Sequence, residues 1–364
     1  MSRPGGVWRA SGFARRLGLA RPIIQGPFGS GLSSLTLTAG VSEAGGLGSF
    51  GVHHLHGAAI TATAAALRQA TARPFALNLW LPHPSDQPTW SAAEHAAVAE
   101  LFRPCFDSLG QPLPAPPQAS GPCFEEQLEA VLAARPAVFS FVYGVPAAEV
   151  LERCRRAGIL TLGTATSVAE ARALEAAGVD AVVASGFEAG GHRVAFLAPP
   201  EEGLIGSLSL LPQVVDAVRI PVVAAGGIAD GRGVAAAFCL GAQAVQIGTA
   251  FLACRESAAS ALHRQALLDP HFPGTALTRA FSGRLARGIR NRLLEELAPH
   301  QSRFAGYPAQ GLFASALKPA ALAQGRSDLL ALWSGQSAPL LRETELGALW
   351  RRLLAETDEL LGTG

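Results

Sequence analysis

Residues 221–252 read PVVAAGGIADGRGVAAAFCLGAQAVQIGTAFL, and this stretch contains the unit that repeats along the chain. A short apolar run at 220–225 leads through a glycine turn into a segment of helical periodicity, and a second apolar run follows at 242–247. Both runs are apolar along their whole length rather than alternating, which is typical of parallel strands covered on both faces. The stretch therefore predicts a β-α-β unit.

Eight such runs occur along the chain, separated by helix-like segments such as 166–178 (TSVAEARALEAAG), which has a Thr/Ser cap and a terminal glycine. Eight β/α alternations in about 250 residues predict an α/β fold, a (β/α)8 TIM barrel. A doubly wound open sheet is the alternative, which periodicity alone does not exclude. The runs are 21–25, 46–51, 74–79, 137–142, 159–163, 180–185, 220–225 and 242–247.

Two segments lie outside this repeat. Residues 103–123 are rich in proline and predict an extended loop after the third run, either a lid or a surface excursion. Residues 255–331 contain no further run of strand type and predict a helical insertion, with a closing helix at about 340–361. We therefore divide the chain into a barrel, residues 1–254 and 332–364, and a helical substrate or lid insertion, residues 255–331.

Composition limits the classes of protein to which the chain can belong. Its 364 residues are 49% apolar and 16% charged, so the chain can bury a large core and is not disordered overall. The formal net charge of +1 argues against nucleic acid or an acidic membrane surface as the main partner. No stretch approaches the roughly 18 apolar residues of a membrane span. A small molecule is the expected partner.

The cysteines and the N-terminal segment bear on location. Five cysteines, an odd number without CxxC spacing, favour reduced thiols over a disulfide framework or a zinc site. The N-terminal segment carries arginines, including Arg3, but no continuous apolar core, so it does not match a secretory signal. We expect a cytoplasmic protein, monomeric or homodimeric.

In a barrel, the loops at the C-terminal ends of the strands concentrate the chemistry. The seventh run ends in Gly226 and Gly227, and the eighth continues into Gly248 and Thr249. Glycines allow backbone N–H groups to approach an anion, and a following helix adds its positive N-terminal dipole. We therefore predict a phosphate site here. The alternative is that Gly226 and Gly227 only form a tight turn.

Histidines suggest two further sites. His192 lies on a glycine-rich loop after the sixth run, which is where a general acid or base is expected. His53, His54 and His56 invite a metal interpretation, but they lack the i, i+4 spacing and accompanying acids of a typical site. We expect no metal. The GxGxxG match at 46–51 follows a helix-like segment instead of a strand, so we interpret it as accidental.

Five stretches resemble the nitronate monooxygenases, formerly called 2-nitropropane dioxygenases. They are PIIQGPFGSG at 22–31, DAVVASGFEAGGHR at 180–193, the opening stretch at 221–252, AFSGRLARGIRNRL at 280–293 and LWSGQ at 332–336. The resemblance implies a TIM barrel that binds flavin mononucleotide (FMN), with its phosphate as the predicted anion. The flavin-binding residues it implies are Gly26, Pro27, Phe28, Asn78, Ser185, Gly186, Gly190, Gly191, Gly226, Gly227, Gln246, Ile247, Gly248 and Thr249.

The resemblance also assigns roles and departures. His192 matches the family's catalytic histidine. The family commonly has methionine where Phe28 stands and glutamine where Ser185 stands, so the pocket beside the flavin is expected to differ in shape and polarity. Among the remaining side chains, the pocket candidates are Tyr143 and Tyr307, and the candidates for holding a substrate carboxylate are Lys318 and Arg284, either of which could instead be a solvated surface charge.

The implied reaction is oxidation of alkyl nitronates, or of nitroalkanes, by FMN and O₂ to a carbonyl compound and nitrite. One alternative on the same fold is an NAD(P)H-dependent flavin reductase of quinones or enoyl thioesters. An alternative of another class is a flavin-binding protein without catalytic activity.

Overall fold

Eight parallel strands surrounded by helices form the core of the protein, in a computed structural model that describes residues 8–86, 90–116 and 121–362. Arg3 and part of the predicted proline-rich loop lie outside the described residues. The strands pair in the order β1-β9-β8-β6-β5-β4-β3-β2. The TIM barrel and all eight predicted runs are therefore confirmed. The barrel strands are β1 Ile23–Gln25, β2 Gly48–Gly51, β3 Phe75–Trp80, β4 Val138–Val142, β5 Leu160–Ala165, β6 Ala181–Ser185, β8 Val222–Ala225 and β9 Ala244–Ile247.

Backbone hydrogen bonds at Leu47 bring the two ends of this sheet together. The Leu47 N–H donates to the Ile23 carbonyl at 2.9 Å, and the Gln25 N–H donates to the Leu47 carbonyl at 3.0 Å. The fully buried Gln25 side chain adds to this connection, because its Oε1 accepts from the Ser49 N–H at 3.1 Å and its Nε2 donates to the Gly26 carbonyl. Backbone hydrogen bonds and one buried amide thus close the sheet between β1 and β2.

Helices cover the outside of the barrel, and their apolar faces pack on the strands in one continuous cluster. A second cluster, with Val138, Leu160, Val183 and Val223 among its members, comes from alternate strand positions and also contains Phe13. The helices are α1 Gly12–Leu17, α2 Leu35–Glu43, α3 Gly57–Ala70, α4 Ala92–Ser108, α5 Phe124–Ala134, α6 Ala148–Ala157, α7 Val168–Ala176, α8 Ser207–Ala217, α9 Gly231–Cys239, α10 Thr249–Leu252, α11 Ala261–Leu267, α12 Arg292–Leu297, α13 Gly311–Ala323 and α14 Leu346–Leu361. Within the described residues, no helix is both long enough and apolar enough to cross a bilayer.

Helix α4 corrects the prediction of an extended loop over 103–123, because the helix continues to Ser108 with Pro104 inside it. Its N-terminus is fixed by a capping box between Ser91 and Glu94. Buried residues on one face, Phe102 and Phe106 among them, lie at helical spacing on both sides of the proline. Burial of this face offsets the hydrogen bond that Pro104 removes.

The insertion is not purely helical, and this is a second correction. It contains two short strands, β10 Thr275–Thr278 and β11 Ala286–Ile289, which pair antiparallel. Strand β11 also pairs antiparallel with β7, Gly191–His192, which leaves the barrel after β6. The register places Ala286 opposite His192. The insertion therefore holds the loop that carries the predicted catalytic histidine.

The closing helix also starts later than predicted. It spans Leu346–Leu361, and Ala338–Leu340 forms a separate 3-10 turn before it. The helix packs against α9, so it covers the outside of the barrel beside β8 and β9.

The Gln25 connection yields a stability prediction. Replacing Gln25 with leucine keeps the size of the side chain but leaves the buried Ser49 N–H and Gly26 carbonyl without their partner. We expect the free energy of unfolding, measured in urea, to fall by about 2–4 kcal/mol. The matched control is Gln213→Leu on the exposed surface of α8, which is expected to change it by less than about 0.5 kcal/mol. An equal, small effect at both positions would show that the amide does not close the barrel.

Candidate active site

A cavity opens at the C-terminal ends of the barrel strands, where the predicted phosphate turn and His192 meet. The structure places most of the predicted flavin-binding residues along its wall. Those that line it are Gly26, Pro27, Phe28, Asn78, Ser185, Gly190, Gly191, Gly226, Gly227, Gln246, Gly248 and Thr249. Gly186 and Ile247 do not line it; the Ile247 side chain is fully buried in the core.

The turn after β8 is shaped for a group that approaches the backbone closely. Gly226 and Gly227 have φ values of 96° and 77°, a region that side chains with a Cβ rarely adopt. A Cβ on Gly226 would lie 3.1 Å from the Ala189 nitrogen, in the neighbouring loop. Ser337 holds the turn from the other side, since its hydroxyl donates to the Gly227 carbonyl at 2.7 Å. The glycines thus let this turn pack closely on the loop after β6, and they line the cavity without side chains, which is the kind of surface that a phosphate can approach.

The segment after β1 contributes shape rather than hydrogen-bond donors. The Gly26 N–H donates to the Ile247 carbonyl at 2.8 Å, Pro27 has no N–H, and the Phe28 N–H donates to Ser33 Oγ at 3.2 Å. A group lying against this segment meets the Phe28 ring and the backbone surface. On β3, the Asn78 amide is oriented by a bond of 3.0 Å from its Nδ2 to Ser140 Oγ.

Several residues that line the cavity were missed by the sequence prediction. Trp80 is the last residue of β3 and lies two positions after Asn78, which places it on the same side of the strand. Trp333 and Gly335 belong to the LWSGQ stretch, to which the family resemblance gave no role. The other missed residues are Gly29, Ser30, Leu32, Ser140, Val142, Thr164, Val183, Val194, Ala225, Ile228, Ala229, Leu252, Ser334 and Ser337.

His192 lies between two aromatic rings at the edge of the cavity. Its ring centroid is 4.7 Å from that of Trp80 and 5.0 Å from that of Trp333. Its Nε2 lies 2.7 Å from Ser282 Oγ, a hydroxyl supplied by the insertion. The backbone pairing with β11 fixes the main chain at the same point. Ring orientation is therefore fixed by elements from both the barrel and the insertion.

The surroundings of His192 favour the neutral imidazole. Burial, and then the nearby positive charge of Arg284, lower the pKa of His192 to about 3. A neutral imidazole can accept a proton and can also donate a hydrogen bond. His263 fixes the backbone of Trp333, one of the two aromatic residues beside His192, because its Nε2 donates to the Trp333 carbonyl at 2.8 Å. Burial lowers the pKa of His263 to about 4.

This low pKa predicts a flat pH profile for substrates that carry no dissociable proton. At pH 5 a group with a pKa of about 3 is only about 1% protonated, so protonation of His192 should not reduce kcat/KM for a pre-formed anion between pH 5 and 8. Initial rates in buffers of constant ionic strength test this. A fall in kcat/KM below an apparent pKa near 6.5 would contradict it.

Tyr143, Tyr307 and Arg284 come together next to the cavity, but they do not line it. The Arg284 guanidinium carbon lies 3.7 Å from the ring centroid of Tyr143 and 4.3 Å from that of Tyr307. Both tyrosine rings lie 5.3 Å from the Trp80 ring, which does line the cavity. Arg284 is only 6% exposed, so the interpretation as a solvated surface charge is wrong for this residue.

Lys318 is exposed on α13 and does not line the cavity. Its charge lies near the His53–His54 segment, where burial and, to a smaller extent, Lys318 lower the pKa of His54. His53 stacks on Trp80, with ring centroids 3.9 Å apart and planes 8° from parallel. In the described part of the chain, no group of three or more His, Cys, Asp or Glu side chains could hold a metal ion.

This barrel, with a backbone-lined glycine turn and a buried neutral histidine in one cavity at the C-terminal ends of its strands, has the architecture of a TIM-barrel enzyme. A sequence model of the nitronate monooxygenase family matches residues 14–356. The chain belongs to the nitronate monooxygenase family. Members named probable nitronate monooxygenase in Staphylococcus aureus strains JH9 and Newman are 36% and 35% identical over 356 residues, which are 98% of this chain and 99% of theirs.

Solved structures agree with this assignment. A nitroalkane oxidase from Streptomyces ansochromogenes is 41% identical and superposes with a TM-score of 0.86 over 95% of this chain and 98% of that one. FabK from Thermotoga maritima is 27% identical, with a TM-score of 0.72 and 96% of both chains covered. The family resemblance is confirmed, and the protein is an FMN-dependent flavin oxidoreductase of this family.

Proposed function

We propose that this enzyme oxidises alkyl nitronates, and neutral nitroalkanes more slowly, to a carbonyl compound and nitrite with O₂. The observation that carries this proposal is the neutral His192 held between Trp80 and Trp333 at the wall of the glycine-lined cavity. A neutral base matters only for the nitroalkane, since a nitronate has already lost its α-proton. The same site can therefore serve both forms at different rates.

The residues present fit FMN. Gly226, Gly227 and the 246–249 segment would hold the phosphate end, because the positive-φ turn brings backbone close and Thr249 adds a hydroxyl. Asn78 and the loop from Ser185 would contact the ring system. Bound FMN would supply the electron acceptor that the protein side chains lack. The Phe28 ring, on the segment after β1, would then border the bound group.

One ring nitrogen of His192 would accept the proton of a nitroalkane. Nε2 is engaged with Ser282, so Nδ1 is the nitrogen left to exchange a proton with the substrate. In that tautomer Nε2 carries the hydrogen and donates it to Ser282 Oγ. For a nitronate, which has no α-proton left to lose, the neutral imidazole would border the bound anion without transferring a proton. Trp80 and Trp333 would bound the alkyl chain and exclude water from the reacting carbon.

The insertion, residues 255–331, would act as a lid that completes the site. It supplies Ser282 to His192, and β11 fixes the strand that carries the histidine. The segment would then act on the substrate through His192, because none of the described residues that line the cavity belongs to 255–331. Because the thiols are free, we place the enzyme in a reducing compartment, the cytoplasm, and propose a monomer or homodimer.

Product analysis tests the proposed function. Purified holoenzyme is supplied with ethyl nitronate in air, and O₂ uptake and nitrite release are followed with and without NADH or NADPH. We expect O₂ consumption and nitrite formation from the nitronate alone, with no effect of the nicotinamides. Oxidation of NADH or NADPH in the presence of a quinone or an enoyl thioester, without nitrite formation, would support the reductase alternative. No reaction in any mixture would support a flavin-binding protein without catalytic activity.

A further inference from the structure

A buried cation lies behind the aromatic wall of the cavity, in a cluster that we call the arginine box: Arg284, Asp86, Tyr143 and Tyr307. The Arg284 guanidinium stacks on both tyrosine rings. Its Nη2 is paired with Asp86, a side chain that is 24% exposed and therefore partly solvated. The cation itself is almost entirely removed from water.

The arginine box leaves polar atoms without partners. Nε and Nη1 of Arg284 are buried and make no hydrogen bond to any residue that the structure describes. Buried guanidinium groups normally have several bonded donors, since an unsatisfied charged donor is costly. A packing role alone would be served by an apolar side chain. The unpartnered donors therefore indicate that the charge itself has a use.

One aromatic layer separates this charge from the cavity. The Trp80 ring centroid lies 5.5 Å from the Arg284 guanidinium carbon, and the same ring lies 4.7 Å from His192. Trp80 and His192 line the cavity, whereas Arg284 does not. The field of the arginine reaches the cavity wall, because Arg284 contributes, directly after burial, to the lowered pKa of His192.

Resting on the proposed function, we propose that Arg284 is a positioning residue that draws an anionic substrate to the His192 end of the cavity through the Trp80 layer. The ligand class is a small planar oxyanion, which a nitronate and its product nitrite both represent. In a low-dielectric wall, a unit charge about 10 Å away changes the affinity for a monovalent anion by about tenfold. A neutral nitroalkane of the same carbon skeleton is not attracted by this charge.

The test compares ethyl nitronate with nitroethane on Arg284→Met, Asp86→Asn and wild-type holoenzyme. We expect Arg284→Met to raise the KM for ethyl nitronate about tenfold and to change the KM for nitroethane by less than about twofold. Asp86→Asn removes the opposing charge, so it is expected to lower the KM for the nitronate. The matched control, Arg290→Met, removes an exposed arginine of the same insertion and should change neither value.

The KM for the nitronate should rise in Arg284→Met and fall in Asp86→Asn, and these opposite changes distinguish an electrostatic role from a structural one. Equal loss for nitronate and nitroethane in Arg284→Met, or a raised KM for the nitronate in Asp86→Asn, would overturn the proposal. If Arg284→Met does not fold, Asp86→Asn alone decides between the two roles. Titration with sodium nitrite, followed by tryptophan fluorescence, needs no turnover, and nitrite should bind about tenfold more weakly to Arg284→Met than to wild type. If wild type and Arg284→Met bind nitrite with equal affinity, the inference is wrong even if the enzyme oxidises nitronates. If wild-type enzyme binds nitrite but forms no nitrite from a nitronate, only the proposed function is wrong.

Discussion

His192→Ala is expected to reduce kcat/KM for neutral nitroethane by about 10²–10⁴-fold, the range that a positioned general base contributes. The loss follows from the geometry: His192 lines the cavity, and one nitrogen remains free for a proton while Ser282 holds the other. For ethyl nitronate, which needs no deprotonation, we expect a loss of less than about tenfold. Steady-state rates with each substrate, measured on protein of known FMN content, give both numbers.

Two comparisons make this prediction specific. His54→Ala removes a neighbouring histidine that does not line the cavity and is expected to leave both rates within about twofold of wild type. The FMN content of His192→Ala should match that of wild type, so that the loss is assigned to chemistry. If the variant turns over nitroethane at the wild-type rate, His192 is not the base. If it loses nitronate turnover to the same extent, its role is not proton transfer.

Gly226→Ala is expected to weaken FMN binding by about 10–100-fold. The new Cβ would lie 3.1 Å from the Ala189 nitrogen and the Gly186 carbonyl, so the turn after β8 must move away from the loop after β6. A φ of 96° adds strain for any residue with a Cβ. Moving the turn costs about one hydrogen bond to a charged phosphate, which is worth about 1.5–3 kcal/mol. Titration of the apoprotein with FMN, followed by flavin fluorescence, measures the dissociation constant.

The control for this prediction is Gly325→Ala. Gly325 has a φ of 68°, follows α13, and has no atom within 4 Å of the position that a Cβ would occupy, so it shares the backbone strain without the clash. We expect both variants to lose about 1–2 kcal/mol of unfolding free energy, and only Gly226→Ala to lose FMN affinity. Unchanged affinity in Gly226→Ala would mean that the phosphate does not bind at this turn.

The barrel could be predicted from the sequence because each of its strands is marked by a pattern of consecutive residues. Runs such as 180–185 are apolar throughout, and this pattern has few interpretations other than a strand covered on both faces. The glycines after β8 and His192 after β6 were found for the same reason, since parallel strands bring their C-terminal ends to one side of the barrel. The family resemblance then named the cofactor that a glycine turn alone leaves open.

The insertion could not be predicted in this way because its structure depends on partners distant in the chain. Strand β11 is four residues long, and its pairing with Gly191–His192 spans almost a hundred positions. Ser282 takes its place beside His192 only through that pairing. Arg284 has the composition of a surface residue and is buried only because two tyrosines and Asp86 surround it. No local pattern indicates these contacts.

Anaerobic mixing of the purified, FMN-loaded enzyme with ethyl nitronate tests most directly whether nitronate is the electron donor. The absorbance of oxidised flavin near its visible maximum is followed in parallel mixtures that contain NADH or NADPH in place of the nitronate. We predict rapid loss of this absorbance with the nitronate and none with either nicotinamide. Loss of absorbance with a nicotinamide alone, or protein that is colourless and takes up no added FMN, would contradict the account.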